Sequence, residues 1–325
     1  MSVLVTGGAG YIGSHTAHAL VDRGEKVVVL DNLSTGSQSF IPPAAVFLRG
    51  DAGNGDLVQK IIREHAVEAV MHFAASILVP ESIQCPLDYY ENNVVVSRGL
   101  IEACIAQQVG HFVFSSTAAV YGLTDSIPVG ETAPTRPINP YGRSKLMVEW
   151  MLEDAARAHA FRYIALRYFN VAGIAPGSCA GQPRRQVAHL IKRAAQVALG
   201  HVDHLDIFGT DYPTRDGTAV RDYIHICDLV DAHLLALDHL RAGAGAGVYN
   251  CGYGTGSSVL DVTAAFERAT GRTLPVRHAP RRPGDAPSVI ADAARLRTTL
   301  GWEPHFNRLD TIVRSALEWE SRQSA

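Results

Sequence analysis

The sequence predicts an α/β fold of the doubly wound kind, in which a parallel sheet has helices on both faces, followed by a smaller C-terminal α/β lobe. Three observations predict this fold. Short apolar runs rich in β-branched residues alternate with segments of helical period, a glycine-rich turn follows the first run, and the chain after Asn170 becomes rich in Gly, Pro and polar residues. Continuous apolar strands separated by helices are typical of a parallel sheet that is buried on both sides.

The first half of the chain contains six predicted strands with helical segments between them. Helical period is clearest at 12–23 and at 92–107. The larger lobe is predicted to end with the last strand, because the composition changes after it. The strands are predicted at 3–7, 26–31, 46–51, 69–75, 111–117 and 163–170.

The second half of the chain contains fewer regular elements. Residues 172–186 are rich in Gly, Pro and polar groups, which predicts a loop that crosses to the second lobe. Helices are predicted at 187–199 and 221–240, a short surface turn at 241–247 and a strand at 248–252.

Composition restricts the classes of function. The 325 residues are 47% hydrophobic and 19% charged, as in ordinary soluble globular proteins. A net charge of −3 gives no broad basic surface for nucleic acid, and no apolar run reaches the roughly 18 residues that span a membrane. The five cysteines form no C-x-x-C pair and no secretory signal precedes Val3, so we expect no metal site, no disulfide framework and a cytoplasmic location.

The glycine-rich turn has the spacing of a dinucleotide-binding motif. TGGAGYIG places Gly7, Gly10 and Gly13 three apart between the first strand and the first helix. Glycines there let the backbone turn tightly and let a pyrophosphate approach the amides at the positive end of a helix. A glycine triplet also fits a simple turn, but this one lies between a strand and a helix. We therefore expect these glycines, with Tyr11 and Ile12, to contact a dinucleotide.

Acidic residues at the ends of the next two strands indicate which dinucleotide binds. Asp31 lies 24 positions after Gly7, where a carboxylate accepts hydrogen bonds from the adenosine ribose and repels a 2′-phosphate. We therefore expect NAD rather than NADP, with Asp31 and the adjacent Asn32 beside the ribose. Asp51, at the end of the third strand, fits a position near the adenine and equally well an ordinary turn.

A tyrosine and a lysine stand at the start of a predicted helix in the segment NPYGRSK. Asn139 and Pro140 suit its N-cap and first position, and a spacing of four places Tyr141 and Lys145 on one face. The Lys145 ammonium and the positive ring of a bound nicotinamide would both lower the tyrosine pKa from about 10 and let Tyr141 accept a proton from a substrate hydroxyl. Thr117, at the end of the fifth strand, would orient the same hydroxyl. An ordinary helix start with a solvated lysine is the alternative interpretation.

Seven motifs occur in order along the chain: TGGAGYIGSH at 6–15, DNL at 31–33, HFAA at 72–75, NPYGRSK at 139–145, LRYFN at 166–170, RDYIH at 221–225 and RRPGD at 281–285. Together they resemble the extended short-chain dehydrogenase/reductase family, and within it most closely the members that epimerise UDP-hexoses at C4. The resemblance implies a Rossmann fold and an NAD that stays bound. It further implies that the sugar 4-hydroxyl is oxidised and that hydride returns to the other face of the ketone.

The resemblance also implies roles for individual residues. Tyr141 would be the base, with Lys145 as its electrostatic partner and Thr117 as the hydroxyl donor. Arg221 and Arg282 would clamp the UDP phosphates, because guanidinium groups bind phosphate in two-pronged fashion. Further implied contacts are Phe73 and Asn92 for the cofactor and Asn170, Leu190, Phe208, Tyr223, Asp285 and Val289 for the substrate.

Related nucleotide-sugar enzymes begin with the same oxidation, so the residues after Thr117 matter. Dehydratases of the family carry an Asp-Glu pair there and decarboxylases a nearby glutamate, whereas this chain has Ala118 and Ala119. Without a further acid or base, the keto sugar can only take its hydride back, which favours epimerisation. The alternatives are a dehydratase, a decarboxylase, a dehydrogenase that releases NADH, and a redox-sensing scaffold that binds NAD without chemistry.

The chain departs from the family pattern at three places. Ile77 stands where some epimerases have a lysine, and Ala188-His189-Leu190 stands where some have Asn-Asn-Leu. Val289 occupies a position at which other members have a tyrosine that narrows the sugar pocket. We therefore expect N-acetylated UDP-hexosamines to be accepted beside UDP-glucose and UDP-galactose.

The resemblance implies a homodimer, because the family usually pairs two helices of the nucleotide-binding domain. Here these helices are 92–107 and 144–158. The expected domains are an NAD-binding domain, 1–170 with 221–252 returning to it, and a UDP-sugar-binding lobe, 171–220 with 253–325.

Overall fold

The computed structural model of the protein describes residues 1–124, 126–182, 189–282 and 285–323. The strands in these ranges are β1 (Ser2–Thr6), β2 (Val27–Asp31), β3 (Val46–Arg49), β4 (Val67–His72), β5 (His111–Thr117), β6 (Arg162–Tyr168), β7 (Asn170–Ala172), β8 (Leu205–Phe208), β9 (Val220–Arg221), β10 (Tyr223–His225), β11 (Gly247–Cys251), β12 (Ser257–Ser258), β13 (Val276–Ala279) and β14 (Ser288–Val289). The helices are α1 (Tyr11–Asp22), α2 (Gly55–His65), α3 (Val79–Gln84), α4 (Pro86–Tyr90), α5 (Val96–Ala106), α6 (Pro140–Ala158), α7 (Leu190–Ala198), α8 (Ile226–Arg241), α9 (Val259–Thr270), α10 (Ala294–Leu300) and α11 (Leu309–Arg322).

Seven of the strands form one parallel sheet in the order β11-β6-β5-β4-β1-β2-β3. The chain reverses its direction of progress across this sheet between β1 and β4. In open α/β sheets such a switch leaves a crevice at the carboxyl ends of the two strands, where ligands bind. The glycine-rich turn follows β1 at this crevice, and the Phe73 amide behind β4 donates to the Thr6 carbonyl oxygen at 2.9 Å.

Side chains of successive strand residues enter separate apolar clusters on the two faces of the sheet. Val3 and Val5 belong to the cluster that also contains residues of α1 and α8, whereas Leu4 belongs to the cluster with residues of α2, α5 and α6. This alternation is the period-two pattern expected of a strand buried on both sides. It confirms the predicted doubly wound fold.

The smaller lobe is built around β8 and β13, which pair in parallel, and the helices α7, α9 and α11. The other strands form a three-stranded sheet, β12-β9-β14, and the pair β10-β7. One apolar cluster continues from Val3 of β1 to Ile312 of α11. The two lobes therefore share a core, and the predicted division at residue 170 stays a prediction.

The structure corrects the helix predicted at 221–240. Helix α8 begins only at Ile226, because the residues before it form β9 and β10. The buried Asp222 carboxylate accepts hydrogen bonds from the Tyr253 and Gly254 amides, at 2.9 Å each, which holds this segment extended against the loop after β11. The His225 ring nitrogen Nδ1 then accepts from the Cys227 amide at 3.2 Å and caps the helix.

Other boundaries shift less. The first part of the helix predicted at 92–107 is a π-helical turn, Glu91–Val95, and the chain becomes α-helical only at Val96. Residues 183–188, which include the end of the predicted crossing loop and the start of the predicted helix 187–199, lie outside the described residues, as do Pro283 and Gly284 of the RRPGD motif. None of the helices in the described ranges has the length and apolar character needed to cross a membrane.

Candidate active site

Three backbone segments come close together at the glycine-rich turn: the turn itself, the start of α1 and the residues after β4. Gly7 has a φ of 71°, and a Cβ there would lie 2.5 Å from the Ala74 amide nitrogen behind β4. A Cβ at Gly13 would lie 2.3 Å from the Gly7 carbonyl oxygen. Helix α1 starts after Gly10 without a side-chain cap, so its first amides are left for another partner. This cradle suits the pyrophosphate of a dinucleotide.

Asp31 ties the end of β2 to this turn. Its carboxylate oxygens accept the amide of Ala9, at 2.9 Å, and that of Leu33, at 2.7 Å. A carboxylate has further lone pairs, so the ribose role predicted for Asp31 is compatible with this structural role. Asn32 accepts the Ser34 amide at 2.9 Å, and Asp51 accepts the Gly53 amide at 2.7 Å. Asp51 therefore has the contact expected of an ordinary turn residue.

Of the remaining cofactor candidates, Tyr11 and Ile12 begin α1, Phe73 directly follows β4, and Asn92 lies in the π-helical turn before α5. The Tyr11 hydroxyl donates to the Gly173 carbonyl oxygen at 2.5 Å, and burial raises its pKa well above the ordinary value. Ile12 contacts the shared apolar cluster from the next position of α1. The Phe73 ring lies 4.9 Å from the His233 ring of α8. Asn92 donates to the Ser76 hydroxyl at 3.0 Å, so it is anchored to the loop after β4.

Helix α6 begins as the sequence predicts. The Asn139 side chain accepts the Gly142 amide at 2.8 Å, and Pro140 occupies the first helical turn. This cap fixes Tyr141 in that turn, where its hydroxyl interacts with the Thr117 side chain at the end of β5. The Thr117 hydroxyl also accepts the Ala119 amide at 3.1 Å. Tyr141 and Thr117 thus meet at the carboxyl edge of the sheet.

Lys145 is buried rather than exposed to solvent. Its ammonium donates to the Ser115 carbonyl oxygen at 2.9 Å and lies 4.9 Å from the centre of the Phe114 ring. Burial lowers the pKa of Lys145 to about 7. The alternative of a solvated lysine is therefore wrong.

In the protein alone the pKa of Tyr141 lies above its ordinary value, and the lowering expected beside a nicotinamide stays a prediction. Burial, the largest effect, raises this pKa, and the hydrogen bond with Thr117 lowers it only in part. Lys145 does not provide the expected opposing effect in the protein alone, since its ammonium is held against β5 and is itself destabilised by burial. A phenolate at Tyr141 therefore requires positive charge from a bound group.

Two buried polar residues that the sequence did not single out, Asn93 and Ser144, join α6 to the loop after β4. Asn93 donates to the Ser144 hydroxyl of α6 and to the Ser76 carbonyl oxygen, both at 3.0 Å. Its side-chain oxygen accepts the Ser76 amide at 2.8 Å. The bonds fix the start of α6 against the loop after β4. The signal available in the sequence was two polar residues on inward faces of predicted helices.

The acidic pair typical of a dehydratase is absent at the two positions after Thr117. Ala118 and Ala119 form a 3₁₀ turn there. The buried carboxylate on α6, that of Glu149, is held by Arg167 at 2.6 Å and by the Ser116 hydroxyl at 2.5 Å. No group of His, Cys, Asp and Glu in the described ranges is arranged to hold a metal ion.

Five of the substrate candidates form two sets of contacts, one around Arg282 and one around Val289. Arg282 pairs with Asp285 at 2.9 Å, and its guanidinium carbon lies 4.7 Å from the centre of the Phe208 ring. Arg221 of β9 is the register partner of Val289 in β14. Val289 in turn packs against the small apolar cluster that contains Ala118 and Phe169, beside Thr117.

The other substrate candidates lie on β7 (Asn170), on β10 (Tyr223) and at the start of α7 (Leu190). Asn170 and Tyr223 are register partners in the β7-β10 pair, and the Asn170 amide donates to the Asp222 carbonyl oxygen at 2.9 Å. Leu190 begins α7 and packs against the shared apolar cluster. Ile77, at the position of the family lysine, is partly exposed.

Comparisons with known proteins place the chain among enzymes of one kind. A profile of the NAD dependent epimerase/dehydratase family matches residues 3–252. A UDP-glucose 4-epimerase of Azospirillum brasilense is 55% identical over 318 residues, which cover 98% of this chain and 91% of that protein. Among solved structures, UDP-glucose 4-epimerase from Brucella ovis in complex with NAD is 44% identical with a TM-score of 0.95, covering 98% of both chains. The UDP-Glc/GlcNAc 4-epimerase from Campylobacter jejuni is 44% identical with a TM-score of 0.86, covering 99% of both.

Proposed function

Because the chain belongs to the NAD dependent epimerase/dehydratase family, we propose that the site described above carries out epimerisation of UDP-hexoses at C4. The protein is an isomerase that interconverts UDP-glucose and UDP-galactose through a 4-keto sugar and uses NAD as cofactor. The observation that carries the residue assignments is the meeting of Tyr141 and Thr117 at the crevice beside the glycine-rich turn.

The residues of the crevice fit NAD. The close approach at Gly7 and Gly13 leaves room for a pyrophosphate at the start of α1, and Asp31 has lone pairs left for a ribose. NAD supplies a reversible hydride acceptor and, in its oxidised form, a positive charge. Phe73, directly after β4, and Asn92, bonded to the Ser76 hydroxyl, complete the proposed cofactor contacts.

The proposed proton transfer uses Tyr141. Its hydroxyl interacts with the Thr117 side chain, and we place the sugar 4-hydroxyl beside this pair. With its pKa lowered by the positive cofactor, Tyr141 takes the proton of the 4-hydroxyl and later returns it. Thr117 orients that oxygen. Lys145, held by the Ser115 carbonyl, adds a cationic charge when it is protonated.

The proposed grip on the substrate lies at the other end of the site. Arg221 and Arg282 bind the diphosphate and Asp285 a ribose hydroxyl, with Phe208 beside them. Held by its UDP, the sugar can turn and present its other face. The alternative nucleotide-sugar reactions need a further acid or base after Thr117, which Ala118 and Ala119 do not provide.

We also propose that N-acetylated UDP-hexosamines are substrates. Val289 lies beside Arg221 and packs against the cluster with Ala118 and Phe169, so its side chain borders the space near Thr117. A valine leaves more room for an N-acetyl group than a tyrosine would. The relative from Campylobacter jejuni, described as a UDP-Glc/GlcNAc 4-epimerase, supports the proposal.

The proposed oligomer is a homodimer formed through α5 and α6. Exposed apolar side chains occur on α6, at Met147 and Trp150, and on the segments that lead into α5, at Ile83 of α3, Leu87 of α4 and Val95 of the π-helical turn. A patch of this kind on a water-soluble protein marks an interaction surface. We further propose a cytoplasmic location, which the five free cysteines support.

One experiment tests the central proposal. The purified protein is incubated with UDP-galactose without added NAD, and the formation of UDP-glucose is followed. Wild type should reach equilibrium with no net change in NADH absorbance. Tyr141→Phe should lose about 10²-fold or more of the rate, because it cannot carry a proton, while it keeps its bound NAD. A Tyr141→Phe variant with wild-type rate would contradict the assignment, and net NADH formation by wild type would favour a dehydrogenase.

A further inference from the structure

A buried tyrosine outside the predicted site lies among the residues that we assign to the UDP diphosphate. Tyr212 follows β8 in the loop 209–218, and only 5% of its surface is exposed. Within the described residues, its hydroxyl is buried and has no hydrogen-bond partner. A hydroxyl taken out of water without a partner is unfavourable, so a partner is expected in the working enzyme.

The ring of Tyr212 is fixed from several sides. Gly209, with a φ of 82°, makes room for it, since a Cβ there would lie 2.5 Å from the ring. The Tyr212 amide donates to the Gly217 carbonyl oxygen at 2.9 Å. The guanidinium carbon of Arg281 lies 4.3 Å from the ring centre, and Arg281 is itself held by Asp211 at 2.7 Å. The hydroxyl therefore cannot swing away to find a partner elsewhere.

The charged groups around this hydroxyl indicate what the partner is. Asp285, Arg281, Arg221 and Arg282 all act electrostatically on the Tyr212 hydroxyl. Guanidinium groups donate hydrogen bonds but cannot accept them, so none of the three arginines can accept a hydrogen bond from the Tyr212 hydroxyl. The carboxylate of Asp285 pairs with Arg282 at 2.9 Å and is not hydrogen-bonded to the Tyr212 hydroxyl. An anionic phosphate oxygen drawn in by the three arginines is an acceptor that fits this position.

We propose that Tyr212 is a further substrate-binding residue, whose hydroxyl donates a hydrogen bond to an oxygen of the nucleoside diphosphate. The inference rests on the proposed function, which places a UDP-sugar between Arg221 and Arg282. Tyr212 takes no part in proton transfer, which belongs to Tyr141 and Thr117. Its loss should therefore weaken substrate binding and leave the chemical step intact.

The test is the Tyr212→Phe variant, which removes only the hydroxyl. Dissociation constants for UDP and for uridine are measured by calorimetry, and KM and kcat are measured with UDP-galactose. We expect the Kd of UDP and the KM to rise about ten- to a hundred-fold, since the lost bond is to a charged group. The Kd of uridine should be unchanged and kcat should stay within about twofold.

Tyr249→Phe is the matched control. Tyr249 is also a buried tyrosine that carries an arginine, Arg295, over its ring at 4.8 Å, but it lies on β11. Its loss should leave UDP binding unchanged. Calorimetric stoichiometry gives the folded fraction, so partial misfolding of Tyr212→Phe cannot pass for a change in Kd.

Two results would overturn the proposal: an unchanged Kd of UDP in Tyr212→Phe, or an equal loss for UDP and uridine, which would move the contact to the nucleoside. Failure of the proposed function would be seen differently, because the wild-type protein would then not convert UDP-galactose. The UDP titration of Tyr212→Phe still decides the role of Tyr212 in that case.

Discussion

At the residue scale, burial sets the ionisation of the tyrosine and lysine assigned to catalysis. It raises the pKa of Tyr141 and lowers that of Lys145 to about 7. The sequence predicted that both residues project from one face of a helix, and the structure places both on α6 with their partners, Thr117 and Ser115, at the end of β5. It could not predict that the ammonium is directed to the Ser115 carbonyl, because that contact depends on how α6 packs on β5. The protein alone therefore keeps the phenol protonated until a positive cofactor is bound.

The lowered pKa of Lys145 predicts a pH-dependent stability. The unfolded chain binds this proton up to about pH 10.4, but the folded protein only up to about pH 7. Lys145 therefore makes wild type less stable as the pH falls from about 10 to about 7. In Lys145→Met this effect is absent, so its stability relative to wild type should rise by ~3 kcal/mol over that interval. Urea unfolding of the cofactor-free proteins measures the difference.

Lys60→Met serves as the comparison, because Lys60 lies on the surface of α2 with 62% of its side chain exposed. Its stability relative to wild type should not change with pH over the same interval. A Lys145→Met curve that runs parallel to the wild-type curve would show that the ammonium is not destabilised by burial.

Val289 should set the size of sugar that the site accepts. In Val289→Tyr, the phenol ring should fill the space beside Ala118 and Phe169 that an N-acetyl group needs. We expect kcat/KM for UDP-N-acetylgalactosamine to fall about tenfold or more, the usual effect of a steric clash of ~1–3 kcal/mol, while UDP-galactose turnover changes little. Coupled assays with both substrates measure the ratio. Wild type that fails to turn over UDP-N-acetylgalactosamine would refute the broad specificity.

At the element scale, the strands of the large sheet, α1 and α6 could be predicted, because their periodicity and caps are local signals. The segment 221–225 could not, since its apolar and polar residues fit either an extended segment or the first turn of α8. Its extended form depends on Asp222, which binds amides of a loop that lies far along the chain. Tyr212 was missed for a related reason, as its arginine neighbours come from other elements.

The cap of α6 should affect both the stability of the helix and the rate of the reaction, because it holds the turn that carries Tyr141. Asn139→Ala removes the side chain that accepts the Gly142 amide, which should cost about 0.5–2 kcal/mol of stability. It should also lower kcat, because Tyr141 lies in the first turn of α6, which frays when its cap is removed. Asn54→Ala, at the corresponding cap of α2, should cost similar stability without loss of kcat. Thermal unfolding and steady-state kinetics on both variants separate the effects, and equal kcat values would contradict the role of this cap.

At the scale of the whole molecule, the exposed apolar side chains of α3 to α6 predict self-association. Trp150, 53% exposed on α6, is the largest of them. Trp150→Glu should convert a dimer to a monomer, because a charge buried at a dimer interface is strongly unfavourable. Light scattering after gel filtration measures the mass. Leu260→Glu, on the exposed face of α9, should leave the mass unchanged, and a monomeric wild type would refute the proposed dimer.

The apolar cluster that runs from Val3 to Ile312 also limits how ligands enter. A hinge motion that parted the lobes would expose this cluster to water, at a cost that grows with the area uncovered. We therefore expect the UDP-sugar to exchange through local rearrangements, such as release of Arg282 from Asp285.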